Sequence, residues 1–171
     1  MLSLMKIKIA FVLFCSTLLA PSSKGEDLDS ESSPASLACF ESQIALKATS
    51  EPCESALKKT QVPSEQGLIL SNLAVIHAKL GLMSEAQITM AEALKLAPRN
   101  PSVYINLGNL RIRQKLFKEA VEALDMAAKL GARQEASLYL NKSIAQRGLG
   151  KYFDAQESFI QYKLLTDQSG L

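Results

Sequence analysis

The chain has 171 residues, of which 47% are hydrophobic and 21% are charged, which is enough for one domain with a continuous core. Its 19 basic and 17 acidic residues give a formal charge of +2, and the excess corresponds to Lys6 and Lys8 near the N-terminus. The rest of the chain is neutral, so it has no long-range attraction to nucleic acid or to an anionic membrane. We therefore expect no nucleic-acid partner.

The first 22 residues have the pattern of an export signal. Two lysines form a basic start, an apolar stretch follows at 9–20 (IAFVLFCSTLLA), and residues 20–22 (APS) place small side chains at the cleavage positions. A membrane anchor is the alternative, but the apolar stretch is shorter than the ~20 residues that a bilayer core requires. Lipidation at Cys15 is not expected, because a bulky phenylalanine precedes it. Residues 1–22 are therefore predicted to be a cleaved signal peptide, and the protein to be periplasmic or secreted.

Residues 23–36 (SKGEDLDSESSPAS) are polar and acidic and contain few large apolar side chains. They are predicted to be a flexible leader, because such a segment cannot bury enough surface to become ordered. Cys39 and Cys53 follow, in helices predicted at 35–49 and 51–60. In an exported protein this pair permits a disulfide that closes a loop of about 14 residues. Two separate buried thiols are the alternative.

Three segments of the remaining chain repeat one another. Ala86, Ala120 and Ala155 occupy the same position in each segment, at intervals of 34 and 35 residues. Each segment resolves into two amphipathic helices with apolar residues at three- and four-residue steps, and no alternating strand pattern appears. Units of this length are stacked in repeat proteins, because no single unit can bury its apolar face alone. The chain is therefore predicted to be all-α.

Capping residues and glycines predict where these helices begin and end. Ser64 is the expected N-cap of the first helix of the first unit, and Ser84-Glu85-Ala86-Gln87 is an expected capping box for its second helix. Asn100 followed by Pro101 is the expected start of the next unit. Four glycines are expected to end helices or form turns: Gly81, Gly131, Gly148 and Gly150.

The three units, 67–100, 101–135 and 136–168, resemble tetratricopeptide repeats. The first carries Leu70, Leu73-Ala74, Gly81, Ala86, Met90, Ala93 and Pro98 of that pattern. The second carries Tyr104, Leu107-Gly108, Phe117, Ala120, Leu124 and Ala127, with Ala132 in place of the usual proline. The third carries Tyr139, Gly150, Tyr152, Ala155 and Phe159, but Lys142-Ser143 replaces the Leu-Gly pair and Asp167 replaces the proline.

The resemblance implies a right-handed superhelix of helical hairpins, an α-solenoid, over residues 64–168. Residues 37–63 match the pattern only in part and are predicted to be an N-terminal helical cap or a degenerate repeat. Small residues at 74, 108 and 143 are expected to lie where the first helix of a unit meets the alanine at 86, 120 or 155 of the second. Small side chains there allow the two backbones to approach closely.

An asparagine occurs at one equivalent position in each unit: Asn72, Asn106 and Asn141. The resemblance implies that the first helices line a concave groove, where members of this family that hold extended peptides use such a ladder of asparagines. An asparagine side chain both donates and accepts hydrogen bonds, so it can pair with a peptide backbone of any sequence. The alternative is that these residues are tolerated polar surface.

Basic residues one turn away, Lys79, Arg113 and Arg147, are expected to add a basic side to the groove. Such a side suits an acidic segment or a C-terminal carboxylate. Solvated surface charges are the alternative for all three. The two-lysine carboxylate clamp of some members of the family is not matched at its usual places.

No catalytic arrangement appears in the sequence. His77 is the only histidine, and it is expected to be a half-buried helical side chain with one hydrogen bond. Serine and aspartate residues are plentiful but have no histidine partner for a nucleophilic triad. No further cysteine or histidine offers the ligand spacing of a zinc site. We therefore predict no enzymatic activity, no cofactor and no metal.

The last predicted helix carries Phe153, Phe159, Ile160 and Leu164, and no added capping helix is expected after it. Exposed apolar surface at that end would permit a homo-oligomer or partner docking. The first hypothesis is therefore a non-catalytic adaptor of the cell envelope that holds a protein or peptide partner in the concave groove. The alternative is a structural subunit of a pilus-related or secretion-related envelope assembly that works through its end faces.

Overall fold

The computed structural model describes residues 33–45 and 48–168. The predicted signal peptide and most of the predicted leader lie outside these residues. Regular structure in the described part is entirely helical, which confirms the predicted all-α class. The helices are α1 (Pro34–Ile44), α2 (Glu51–Lys59), α3 (Pro63–Lys79), α4 (Met83–Leu96), α5 (Pro101–Arg113), α6 (Phe117–Lys129), α7 (Ala136–Gly148) and α8 (Tyr152–Gln168), with a short 3-10 helix at Ala132–Gln134.

The helices pair into successive hairpins that stack into an α-solenoid. Helix α1 packs against α2, α3 against α4, α5 against α6 and α7 against α8. The first helices of neighbouring hairpins also lie side by side, since α3 contacts both α1 and α5, and α5 contacts α7. This arrangement places α1, α3, α5 and α7 along one side of the stack, where a concave surface forms.

A left-handed residue makes the turn between the two helices of each of the last three hairpins. Gly81 has a φ of +83° and Gly150 a φ of +75°, as predicted for helix stops. The equivalent residue of the middle hairpin is Lys115, whose φ of +61° carries the steric cost of a Cβ in this region. Gly131, which follows α6, is also left-handed, with a φ of +112°.

Two of the three predicted N-terminal caps are wrong. Ser64 lies inside α3, which begins at the preceding proline, and Ser84 lies inside α4. The tight turn after α3 brings the chain into helical conformation early, so the backbone carbonyl of Leu82 accepts the first helical bond of α4. The prediction for Asn100 is confirmed, because its side chain accepts a 2.9 Å hydrogen bond from the backbone N–H of Ser102.

Small residues fill the positions predicted for close approach within hairpins. Ala74, Ala86 and Ala120 are completely buried, and Ser143 and Ala155 are nearly so. In the hairpin of α5 and α6, the equivalent position on the first helix is a glycine, Gly108, which has no side chain. A Cβ built on Gly108 would lie 2.7 Å from the side chain of Leu124, which is itself fully buried. The hairpin therefore depends on the absence of a side chain at this position.

The N-terminal hairpin is held to the stack by a disulfide and a small apolar core. Cys39 of α1 and Cys53 of α2 are bonded, with their Cα atoms 4.4 Å apart, and both are fully buried. They pack with Ile69 and Ile76 of α3. Helix α1 begins inside the segment predicted as the leader and ends before residue 49, where the sequence prediction placed its end.

Among the helices of the described residues, none is both long enough and apolar enough to span a bilayer.

Candidate binding groove

A concave groove of about 420 Å³ lies along the side formed by α1, α3, α5 and α7. Each of these helices contributes side chains to it, and none of the second helices of the hairpins does. The volume lies within the range of pockets that hold small ligands or a few residues of a peptide. The groove is therefore a product of the stacking itself, because it needs four successive hairpins.

All three asparagines predicted as a ladder line this groove, but they differ in their surroundings. Asn72 and Asn106 are 3% and 8% exposed, and the Asn106 Nδ2 donates to Asn72 Oδ1 at 2.8 Å and to Ser71 Oγ at 2.9 Å. Asn141 is only partly buried and makes no side-chain hydrogen bond within the described residues. Two rungs of the ladder are therefore bonded to each other, and the third is open.

Gln43 of α1 completes this polar network. Its Nε2 donates to Asn106 Oδ1 at 2.9 Å, so α1 bonds directly to α5 across α3. Gln43 itself is 8% exposed and lines the groove, and its Oε1 is buried without a hydrogen-bond partner in the described part of the chain. Gln43 is not among the residues predicted from the sequence. The sequence does hold one signal that Gln43 is buried: it lies four residues after Cys39, and therefore on the same helical face as that buried residue.

The other groove-lining side chains of α1 are mostly apolar. Leu37, Phe40 and Ile44 follow one another at three- and four-residue steps, so they form a single stripe on the helix. They remain 47%, 46% and 63% exposed, although each is a large apolar side chain. Leu140 of α7 also lines the groove. The wall formed by α1 is therefore apolar, and the described residues leave it largely exposed.

The three basic residues predicted beside the ladder do not line this groove. The Lys79 ammonium donates to the backbone carbonyls of Gln43 and Ala45 at the C-terminal end of α1, the second at 3.3 Å. Burial and the nearby Arg113 guanidinium lower the pKa of Lys79. Lys79 thus acts as a capping cation for α1, where carbonyls lack helical partners.

The two arginines also have other surroundings. The Arg113 Nε donates to Asn109 Oδ1 at 3.2 Å, and Arg147 lines a separate pocket with Tyr152 and Phe159. Among the described residues that line the groove, Glu135 alone carries an ionisable side chain. The described lining of the groove is therefore uncharged except for one carboxylate.

The single histidine lies away from the groove. His77 is half-buried, and its Nδ1 shares a hydrogen bond of 3.3 Å with the hydroxyl of Thr89, which agrees with the role predicted from the sequence. Within residues 33–45 and 48–168, no group of three or more His, Cys, Asp and Glu side chains is placed to hold a metal ion.

Comparison with known proteins agrees with this architecture. Residues 69–100 match the family model of the tetratricopeptide repeat, and this segment covers most of the hairpin formed by α3 and α4. The chain is 28% identical over 88 residues to a protein of Haemophilus influenzae named as a homologue of lipoprotein NlpI. That match covers 52% of the chain and 28% of the length of the relative.

Proposed function

We propose that the chain, whose residues 69–100 match the tetratricopeptide repeat, is a non-catalytic adaptor that holds an extended segment of a partner protein in its concave groove. The observation that carries this proposal is the groove itself, to which α3, α5 and α7 each contribute an asparagine at the equivalent position. Repeat proteins generally use such concave surfaces for binding. A role in protein–protein interaction is also what the repeat family suggests.

The side chains of the groove suit a peptide backbone flanked by apolar side chains. Asn141 has an unused donor and an unused acceptor, and Asn72 accepts from its neighbour while its own amide N–H groups donate to no described residue. Amide groups of this kind bind backbone N–H and C=O groups irrespective of sequence. The exposed stripe on α1 would cover the apolar side chains of the same segment.

Three observations support an envelope location. The pattern of residues 1–22 is that of an export signal. The bond between Cys39 and Cys53 is of a kind that persists in oxidising compartments. The Haemophilus influenzae relative is named as a lipoprotein. The absence of catalysis is proposed because the single histidine, which shares a hydrogen bond with the Thr89 hydroxyl, lies away from the groove and has no carboxylate to orient it in the described part of the chain.

Site-specific photocrosslinking tests the groove proposal. A photoreactive phenylalanine analogue at position 40 lies in the groove, and the same analogue at the 70% exposed Ile88 of α4 lies outside it. We expect a partner adduct from position 40 and none from position 88, and we expect Asn141→Ala to reduce its yield. Equal adducts from both positions, or an adduct from position 88 alone, would refute binding in the groove.

A second candidate function is suggested by the uncovered face of α8. Phe153 and Tyr152 are 90% and 69% exposed, and Phe159, Ile160 and Leu164 are each more than 40% exposed. Together they form apolar surface on the order of several hundred Å², the size at which patches on monomers mark interaction sites. This surface supports a structural subunit that self-associates or docks through its end face.

Light scattering separates the second candidate from the first. If α8 mediates self-association, the chain has a dimeric or larger mass at high concentration and Phe153→Ser returns it to the monomer mass. Ile88→Ser is the control, because it removes another largely exposed apolar residue elsewhere, 70% exposed against 90% for Phe153. A monomer mass at every concentration would refute self-association and leave the groove proposal standing.

A further inference from the structure

We propose that the groove binds an uncharged, apolar segment whose flank carries a basic residue, and that it discriminates against acidic segments. This inference rests on the proposed function of the groove and names the chemistry of its ligand. Three features of the described residues carry it: the charge of the lining, the apolar stripe on α1 and the unmet hydrogen-bonding groups.

The charge of the lining opposes an acidic ligand. Glu135, which stands immediately before α7, is the one ionisable side chain among the described residues that line the groove. An acidic ligand would leave the solvent for a groove whose described lining offers no cation to pair with it, and an unpaired charge is costly to desolvate. A lysine or arginine at the ligand's flank would instead meet the Glu135 carboxylate.

The basic residues nearest the ladder are engaged elsewhere. The Lys79 ammonium is held by two backbone carbonyls of α1, and the Arg113 guanidinium is bonded to Asn109. Arg147 lines the separate pocket at the start of α8. A ligand that recruited Lys79 would have to break its bonds to the end of α1, the helix that forms the groove wall.

The apolar stripe determines what the centre of the ligand must be. Leu37, Phe40 and Ile44 each leave roughly half or more of their surface exposed toward solvent. Covering such surface with apolar side chains gains about 25 cal/mol per Å², whereas covering it with polar side chains gains nothing and strips their hydration. The stripe runs over about two turns of α1, so it matches a segment of several apolar residues.

The unmet polar groups require that this segment offers backbone N–H and C=O groups. Gln43 Oε1 is buried without a donor, and the amide of Asn141 has no partner within the described residues. A helical ligand uses its own backbone groups internally, but an extended segment leaves them free.

Fluorescence anisotropy with three labelled ten-residue peptides tests the inference on the full-length, oxidised chain. The peptides share one uncharged apolar core and differ only in a flank of lysine, serine or aspartate. We expect the lysine-flanked peptide to bind tightest, about two- to fivefold tighter than the serine-flanked one, as for a partly exposed ion pair. Glu135→Gln should remove that difference, and Glu122→Gln, on the exposed side of α6, should not.

The outcomes separate this inference from the proposed function. Phe40→Ala should weaken all three peptides by about tenfold if they occupy the groove, because buried aromatic contacts dominate such interfaces. Phe40-dependent binding in which the aspartate-flanked peptide is equal or tighter would overturn the inference and preserve groove binding. Failure of all three peptides to bind in a Phe40-dependent way would overturn both.

Discussion

Asn106 and Asn141 occupy the same position in consecutive repeats, yet the structure predicts opposite effects when each is replaced by alanine. Asn106 is 8% exposed and makes three side-chain hydrogen bonds, to Gln43, Ser71 and Asn72. Asn141 is partly exposed and makes none within the described residues. Asn106→Ala therefore removes the centre of a buried network, while Asn141→Ala removes only an unbonded amide.

The magnitude follows from the groups that are left behind. Asn106→Ala leaves the Gln43 amide and Asn72 Oδ1 buried without partners, and each orphaned group costs about 1–3 kcal/mol. We therefore expect the free energy of unfolding to fall by about 2–6 kcal/mol. Asn141→Ala should leave stability unchanged or raise it by about 0.5 kcal/mol, because alanine has the higher helix propensity. Only peptide binding should suffer from Asn141→Ala.

Urea denaturation followed by far-ultraviolet circular dichroism measures both effects. A double-mutant cycle with Gln43→Ala tests the network directly, and we expect a coupling energy of about 1–3 kcal/mol between Gln43 and Asn106. Equal unfolding midpoints for Asn106→Ala and Asn141→Ala would refute the reasoning. So would strict additivity of Gln43→Ala and Asn106→Ala, because it would mean that the two side chains do not share a bond.

Three further predictions concern stability. Replacing both Cys39 and Cys53 by alanine should lower the free energy of unfolding by about 3 kcal/mol for a loop of this length, and a loss below about 1 kcal/mol in urea titrations would contradict the entropic account. Lys115→Gly should raise the free energy of unfolding by about 0.5–1 kcal/mol, since glycine adopts the left-handed turn without strain. A lower unfolding midpoint in urea would contradict this. Gly81→Ala is the matched reverse change, because it adds a Cβ at the equivalent turn of another hairpin. The hydroxyls of Ser33 and Thr60 lower the pKa of Glu65 below its ordinary value of 4.5. The stabilisation that the ionised Glu65 contributes is therefore present above about pH 4.5 and is lost as the pH falls through the folded pKa. The stability difference between the unmodified chain and Glu65→Gln should shrink in acid, and unfolding midpoints whose difference does not change with pH would refute this prediction.

Local sequence signals predicted the helical hairpins and many of their ends. Gly81, Gly131 and Gly150 do adopt the left-handed conformation, and Asn100 does cap α5. These succeed because one residue's backbone preference or side-chain reach decides the outcome. The predicted caps at Ser64 and Ser84 are wrong because other local features set where those helices begin: a proline at the first position of α3, and the tight turn that precedes α4.

The groove was only partly accessible to sequence reasoning. The repeat register correctly brought Asn72, Asn106 and Asn141 to one surface, because equivalent positions on stacked units share a face. Gln43 lies in a hairpin whose repeat pattern is degenerate, so no register pointed to it. Whether a side chain bonds to a neighbour or remains open depends on distances between helices, which the spacing of residues along the chain does not contain.

The bond from Gln43 to Asn106 has a consequence for how the solenoid unfolds. In a linear repeat protein, stability is approximately a sum of unit energies and nearest-neighbour energies, so unfolding spreads one interface at a time. Gln43 belongs to the first hairpin and Asn106 to the third, so this hydrogen bond is a next-nearest-neighbour term. Fraying of α1 therefore weakens α5 as well as α3, and the first three hairpins form a larger cooperative unit than a one-dimensional nearest-neighbour chain allows.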